Sequence, residues 1–447
     1  MKKRALVTIP VILILTASVI ASFFLTNEDF DKSRATPAQR IAAYTKPSVV
    51  RILDEAIVQW DYSNISNPQV YQYIAANKGQ TIIGGSGSGA IVSSDGHIIT
   101  NAHVIDLSRK TDQELANEAL EYLAYDVASY FNVSPETAYD YLLSAVTWKA
   151  VTRIQKVYLP NGEAYNSTVK AFGAPVGEGE DVAVLKISAT NLPILTLGNS
   201  NMIQLQDNIW VIGFPAAADS DLLSQESQLV SSITSGQVSA IDKKAAEGTP
   251  VIQIDAAVTH GNSGGPVVNE QGEIIGLLTF RGDTVYGNEI QGFSFAIPST
   301  TVQKFMQQAG VNNTLGPVDI SYREGLQFFW SGYYKEALKK FEEAAALYGK
   351  HPEIQRLIQT CQYNLENSKT YWPRYSLFFY IFDGIAVLLI VFLSIITFKP
   401  HRQPALQQKP NIEYIFSLIK NNHVDAQEIL NISKTELQKK QQSVQKE

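Results

Sequence analysis

A chain of 447 residues, 45% hydrophobic and 18% charged, has room for one to three globular domains. Its formal net charge of −7, with no large basic block in the central region, argues against a nucleic-acid partner. With Cys361 as its single cysteine it forms no intramolecular disulfide, so the fold rests on its core alone.

Residues 1–30 open on Lys2, Lys3 and Arg4, followed by an apolar run from Ala5 to Leu25. This is the charged-then-apolar order of a secretory signal. The run approaches the ~20 residues that span a bilayer, which favours an uncleaved anchor over a signal peptide cut near Ala21. Residues 26–45 read as a polar linker. From Pro47 to about Ile297, short apolar runs alternate with turn signals: IIGGSGSGAIVSS, then Asp95-Gly96, then HIITNAHVI, and later VYL before Asn161-Gly162. Asp-Gly and Asn-Gly between such runs mark hairpins. NIWVIGF, SGQVSAID, VIQIDAAV, EIIGLLTF and GFSFAI continue the pattern. Many short strands with regular turns argue for antiparallel barrels or a sandwich.

Residues 108–150 interrupt this pattern. Leu115, Ala119, Leu123, Val127 and Tyr130 recur at helical spacing, and Ser134 followed by Pro135 signals the start of a second helix. The stretch reads as a helical hairpin inserted in a β domain, a structural decoration in preference to a lid. Residues 316–370 are helical again. Gly325, Phe328, Ala337, Phe341 and Ala344 match the small and aromatic positions of a tetratricopeptide repeat. Such repeats need about three copies to bury a core, and one is visible, so an ordinary helical hairpin is a live alternative. Pro352 opens a third helix. Residues 371–399 hold a second apolar segment, Tyr375 to Phe398, closed by Lys399, His401 and Arg402. Basic flanks before the first segment and after the second place both termini in the cytoplasm and the residues between outside. Asp383 is the one charge inside the second span, read as a carboxyl near the outer interface or paired in a helix contact. The tail, 400–447, carries one amphipathic stretch at 412–430.

The strongest chemical signal is Gly261-Asn262-Ser263-Gly264-Gly265-Pro266. A serine hydroxyl is a poor nucleophile and must be held exposed beside a base. Flanking glycines permit the tight turn, and the amides of Gly261 and Ser263 can converge where an oxyanion forms. His103, in Thr100-Asn101-Ala102-His103-Val104, is the candidate base. Asp181, in DVAVLKI, is the candidate that orients the imidazole. Each of these two motifs is weak alone. Together with Ser263 they stand in the chymotrypsin order, about 80 residues apart.

The segments KPSVVRI, GSGSGAIVSSDGHIITNAHV, DVAVLKI, VIGFP, ITSGQVSAI, GNSGGPVVN and GFSFAIP resemble the protease domain of the HtrA/Deg family over roughly residues 46–300. The resemblance implies a trypsin-like protease domain at 31–315, with two six-stranded antiparallel β-barrels and the triad His103, Asp181 and Ser263 in the cleft between them. It implies endoproteolysis of polypeptide substrates through an acyl-enzyme, with no cofactor and no metal, and homotrimers, which are common in the family. Ala257, six residues before Ser263, would line the specificity pocket, and with no charge there cleavage after small or medium aliphatic residues is expected. Asn262 lacks the charge by which chymotrypsin-like zymogens bind a new N-terminus, so activation would depend on loop ordering.

The chain departs from the family in three places. The helices of 316–370 and a membrane span stand where a PDZ domain is usual, so those helices are the candidate surface for a protein partner. The insertion after His103 is unusual, and His260 precedes the serine motif as a loop residue expected to point away from Ser263. The leading reading is a membrane-embedded endopeptidase acting on periplasmic or cell-surface proteins. The alternative is a protease-fold binding protein with chaperone-like capture and little turnover.

Overall fold

The computed structural model describes residues 2–26, 35–216, 224–281, 292–369 and 373–398, with a few positions between 431 and 438. The amphipathic stretch expected at 412–430, and the flank of Lys399, His401 and Arg402, lie outside the described residues. The chain divides into two units, one of Met1–Asn27 with Pro373–Glu447 and one of Glu28–Trp372.

In the first unit α1 (Lys2–Thr26) pairs with the last helix, α10 (Pro373–Phe398). Thr8 Oγ1 meets Thr397 Oγ1 at 2.6 Å, and the Ser22 hydroxyl donates to Asp383 Oδ2, so the pair is antiparallel. Asp383 is thus paired in a helix contact. Of the two expected spans, Leu377–Phe398 is long and apolar enough to cross a membrane, by length and composition. The apolar stretch Leu6–Ser22 is shorter.

In the second unit α2 (Pro37–Thr45) leads into β1 (Val49–Asp61), α3 (Pro68–Ala76), β2 (Gln80–Ile91) and β3 (His97–Thr100). Helices α4 (Asp112–Phe131) and α5 (Pro135–Ala145) follow, then β4 (Thr147–Tyr158), β5 (Ala164–Tyr165), β6 (Ser167–Phe172) and β7 (Ala183–Ile187). These strands form one antiparallel sheet in the order β5-β4-β1-β2-β3-β7-β6. Next come β8 (Asn208–Gly213), β9 (Ser232–Lys244), β10 (Pro250–Ile254), β11 (Pro266–Val268), β12 (Ile274–Arg281), β13 (Ser294–Pro298) and α6 (Ser299–Gln308). They close a barrel in the order β10-β13-β12-β11-β8-β9.

The expectation of two six-stranded barrels therefore holds for the second only. The first sheet has seven strands and its ends do not pair; β4 meets β6 through the Ser167 hydroxyl on Gln155 Oε1, 3.1 Å, without a ladder. The reason lies in strand length. β1 and β4 pair from Arg51↔Tyr158 to Asp61↔Thr147, and their far halves run on as a ribbon instead of closing. That ribbon has its own core: Ala56, Val58, Trp60 and Ile83 pack against Val70 and Ile74 of α3 and the buried faces of α4 and α5.

The helical insertion forms as its sequence suggests. Thr111 caps α4 in a capping box with Glu114, and the Ser134 hydroxyl accepts from Thr137 N at 3.2 Å at the start of α5. Leu115, Ala119, Leu123 and Val127 are buried, whereas Tyr130 is exposed and lies 4.6 Å from Tyr73, ring to ring. Residues 147–150, expected to be helical, open β4 instead. The β-branched and aromatic side chains of Thr147, Trp148 and Val151 suit a strand, and the ladder to β1 takes them.

Helices α7 (Pro317–Ser331), α8 (Tyr334–Leu347) and α9 (Ile354–Tyr363) share a core of Tyr322, Leu326, Ala337, Phe341, Ala344, Leu357 and Cys361. A Cβ on Gly325 would lie 2.6 Å from the Phe341 ring, so glycine is what lets that ring between the helices. A single hairpin suffices here because it docks. Ala43 and Tyr44 of α2 join its core, Asp319 Oδ1 accepts Ile194 N at 2.9 Å, and Asn161 Nδ2 donates to the Tyr348 hydroxyl at 3.1 Å.

His351 gives this region an acid-sensitive point. It is 3% exposed, its Nδ1 accepts Glu353 N at 3.2 Å, and its Nε2 finds no hydrogen-bond partner among the described residues. Burial pushes its pKa down to about 3. In the unfolded chain the ring takes a proton near pH ~6.5. The stability of the neutral buried ring is therefore full above that pH and is lost as pH falls toward 3. The slope is about 1.4 kcal/mol per pH unit. In urea unfolding between neutral and mildly acid pH, the stability of wild type should fall more steeply than that of His351→Phe, the difference in slope reaching about 1.4 kcal/mol per pH unit. Equal slopes in the two proteins would exclude His351 as the cause.

Candidate active site

The β3–β7 ladder, with Thr100 opposite Ala183, brings Asn101 beside Asp181. Asn101 Nδ2 donates to the Asp181 carbonyl at 2.8 Å. The chain then turns into a short 3₁₀ segment, His103–Ile105. Asp181 is 1% exposed, a costly position for a carboxylate unless donors replace water. Three do so. His103 N donates to Oδ1 at 3.0 Å, His103 Nδ1 to Oδ2 at 2.8 Å, and the Thr279 hydroxyl to Oδ2 at 2.5 Å. Donation from Nδ1 leaves Nε2 as the basic atom of the ring.

The serine motif forms the turn between β10 and β11. Gly261 and Gly264 have φ of +90° and +79°, a region that costs side-chain-bearing residues strain. A Cβ on Gly264 would also lie 2.2 Å from Thr100 Oγ1 and 2.3 Å from Ser88 O. Ser88 of β2 ties this turn to the first sheet. Its N–H donates to Ser263 O at 2.8 Å, its hydroxyl donates to Gly261 O at 2.7 Å, and that hydroxyl accepts Phe214 N at 2.9 Å. The His260 carbonyl accepts Ala216 N at 2.7 Å. In a trans peptide the Gly261 N–H then points to the opposite side. Neither the Gly261 nor the Ser263 amide donates to an acceptor among the described residues.

His103 and Ser263 line one cleft of about 510 Å³, with Gly261, His260 and Ala216. The Ser263 hydroxyl donates to Thr279 O at 3.2 Å, and no hydrogen bond joins it to His103. Of the residues expected from sequence, His103 and Asp181 are bonded, and Ser263 and Gly261 share the cleft that His103 lines. Ala257 is exposed and is not among the residues lining that cleft. His260, expected to point away, lines it.

Sequence reasoning missed several groups here. Thr279 sits in β12, where no motif marks it, and Ser88 lies in a Gly/Ser run that reads as a plain strand. The insertion, read as decoration, contributes Glu118 and Tyr122 to the same cleft, beside Asp54, Asp106 and Lys110. Lys110 Nζ bonds Asp106 at 3.0 Å and Glu118 at 2.9 Å. Asp54 is 3% exposed and accepts Ser108 N at 3.1 Å; burial pushes its pKa up to about 6.

Residues 87–277 match the family described as trypsin-like peptidase domain. The human serine protease HTRA3 is 31% identical over 231 residues, covering 50% of this chain and 38% of that protein. The rat serine protease HTR4 is 30% identical over 234 residues, covering 51% of this chain and 34% of that protein. The chain thus spans between a third and two fifths of the length of these curated relatives. Among solved structures, the HtrA-type protease AlgW with decapeptide is 23% identical with a TM-score of 0.39, covering 62% of this chain and 67% of that one.

Proposed function

From a chain that carries an HtrA/Deg-like trypsin-like peptidase domain, we propose a serine endopeptidase in which Ser263 is the nucleophile, His103 the base and Asp181 the group that orients it. The supporting observation is the His103 Nδ1–Asp181 bond of 2.8 Å, capped by Thr279 behind a ring that lines the same cleft as Ser263. Ser263 Oγ attacks the scissile carbonyl carbon while its proton passes to His103 Nε2. The oxyanion is met by the Gly261 and Ser263 amides, which have no other acceptor among the described residues. Collapse of the tetrahedral intermediate breaks the C–N bond, and His103 returns the proton to the leaving amine. Water, activated by the same ring, then hydrolyses the acyl-enzyme.

The reading includes a membrane anchor, supported by Leu377–Phe398, with both termini cytoplasmic and the peptidase outside. Its substrates are unfolded or membrane-proximal extracytoplasmic proteins, and it assembles as a homotrimer. The helices α7–α9 recruit a protein partner. Ala257 lies outside the cleft lining, so the preference for small aliphatic residues rests on sequence alone.

One observation favours a second reading, a binding protein with little turnover: the Ser263 hydroxyl is turned to Thr279 O and not to His103. A fluorophosphonate probe on the detergent-solubilised chain separates the two. Stoichiometric labelling of Ser263, together with cleavage of an unfolded protein, supports the peptidase. A folded wild type that takes no label supports the binder.

A further inference from the structure

The cleft does not end at Ser263. It continues past Gly87 to Gly84 on β2 and reaches α4 of the insertion. On one edge, Gly84–Gly87 pair with β1, from Glu55↔Gly84 to Ile52↔Gly87. On the other edge β3 pairs with β2 only at Ala90 and Ile91, so among the described residues Gly84–Gly87 present a strand edge with no strand partner. Gly84 and Gly85 are exposed and carry no side chain to shield the backbone. An extended peptide can add to such an edge by main-chain hydrogen bonds, with neighbouring pockets reading alternate side chains.

The wall facing this edge is anionic. Asp54, Asp106 and Glu118 bring three carboxylates, and Lys110, already bonded to Asp106 and Glu118, offsets one of them. The Glu118 side chain remains 31% exposed and Tyr122 is 53% exposed, so both are available to a passing chain. A lysine or arginine side chain suits this wall: its charge meets the uncompensated carboxylates and its methylene stem lies on the Tyr122 ring.

Resting on the peptidase reading above, we propose that the substrate segment running from the scissile bond toward the insertion lies along Gly84–Gly87, and that Glu118 and Tyr122 of α4 select a basic residue in it. The insertion is then a specificity element of the cleft. This preference is separate from that of the residue immediately before the cut bond.

The test is cleavage of a randomised peptide library by the detergent-solubilised full chain, with products identified by mass spectrometry. One flanking position should favour Lys or Arg over Glu by about tenfold in kcat/KM, the scale of a few partly screened charge contacts. Glu118→Lys should lower that ratio by at least about fivefold at that position alone, and the shape-conserving Glu118→Gln by a smaller factor. Fluorophosphonate labelling of Ser263 should stay at the wild-type rate in both. Full labelling with no basic preference at any flanking position, or with one that both variants leave unchanged, overturns the subsite and leaves the peptidase standing. A wild type that takes no label overturns both.

Discussion

Ser263→Ala should lower kcat/KM for peptide cleavage by about 10⁶-fold, with complete loss of fluorophosphonate labelling. Of the other side chains lining the cleft, His103 and His260 lack the hydroxyl, Ser86 Oγ accepts from Arg51 Nη2 at 3.1 Å and has no bond to His103, and Tyr122 belongs to the wall formed by the insertion. The fold should tolerate the change. The Ser263 side chain makes one hydrogen bond, to Thr279 O, whereas the turn is held by backbone groups, among them Ser263 O accepting Ser88 N. Loss of one partly buried hydroxyl bond costs about 0.5–1.5 kcal/mol. A shift of a few degrees in melting temperature, with activity gone, is the expected pair of results. Retention of more than about a hundredth of the activity would place the nucleophile elsewhere, since the oxyanion hole and binding alone account for only ~10³–10⁴ over water.

Asp181→Asn should lower kcat by about 10⁴-fold at neutral pH while leaving the protein folded. The present carboxylate accepts from His103 N, His103 Nδ1 and the Thr279 hydroxyl and donates nothing. An amide keeps one acceptor oxygen. If that oxygen stays on His103 N, the new NH₂ faces Nδ1 and forces the proton onto Nε2, the atom that must accept from Ser263. Imidazolium formed during the reaction would also lose its counter-charge. The rate of fluorophosphonate labelling should fall with kcat, because both require the base. A loss below about tenfold would mean that His103 is oriented by something other than Asp181, and the chemistry assigned to that pair would fail.

Much of the candidate site was legible because the groups that meet there are carried by short motifs. The GNSGGP turn demands glycine at positive φ, and the order His103, Asp181, Ser263 matches a known arrangement. Thr279 was illegible for the opposite reason: a threonine in a strand has no local mark, and its bond to Asp181 depends on where β12 passes. Ala257 was placed by counting residues from Ser263. Counting does not convey side-chain direction, and the structure leaves that side chain outside the cleft lining.

By itself, the sequence determined the elements with strong local rules: the capped helices of the insertion, the Asp-Gly and Asn-Gly hairpins, the apolar segments at either end, the small residue at Gly325 that admits Phe341, and the serine turn. Only the tertiary structure decided that the first sheet stays open, because closure depends on how far β1 and β4 remain paired. It alone decided that a single helical hairpin suffices, because α9 and α2 complete its core. It also turned the insertion from decoration into a wall of the cleft. These outcomes depend on contacts between residues far apart in the chain, where burial and pairing outweigh local preference.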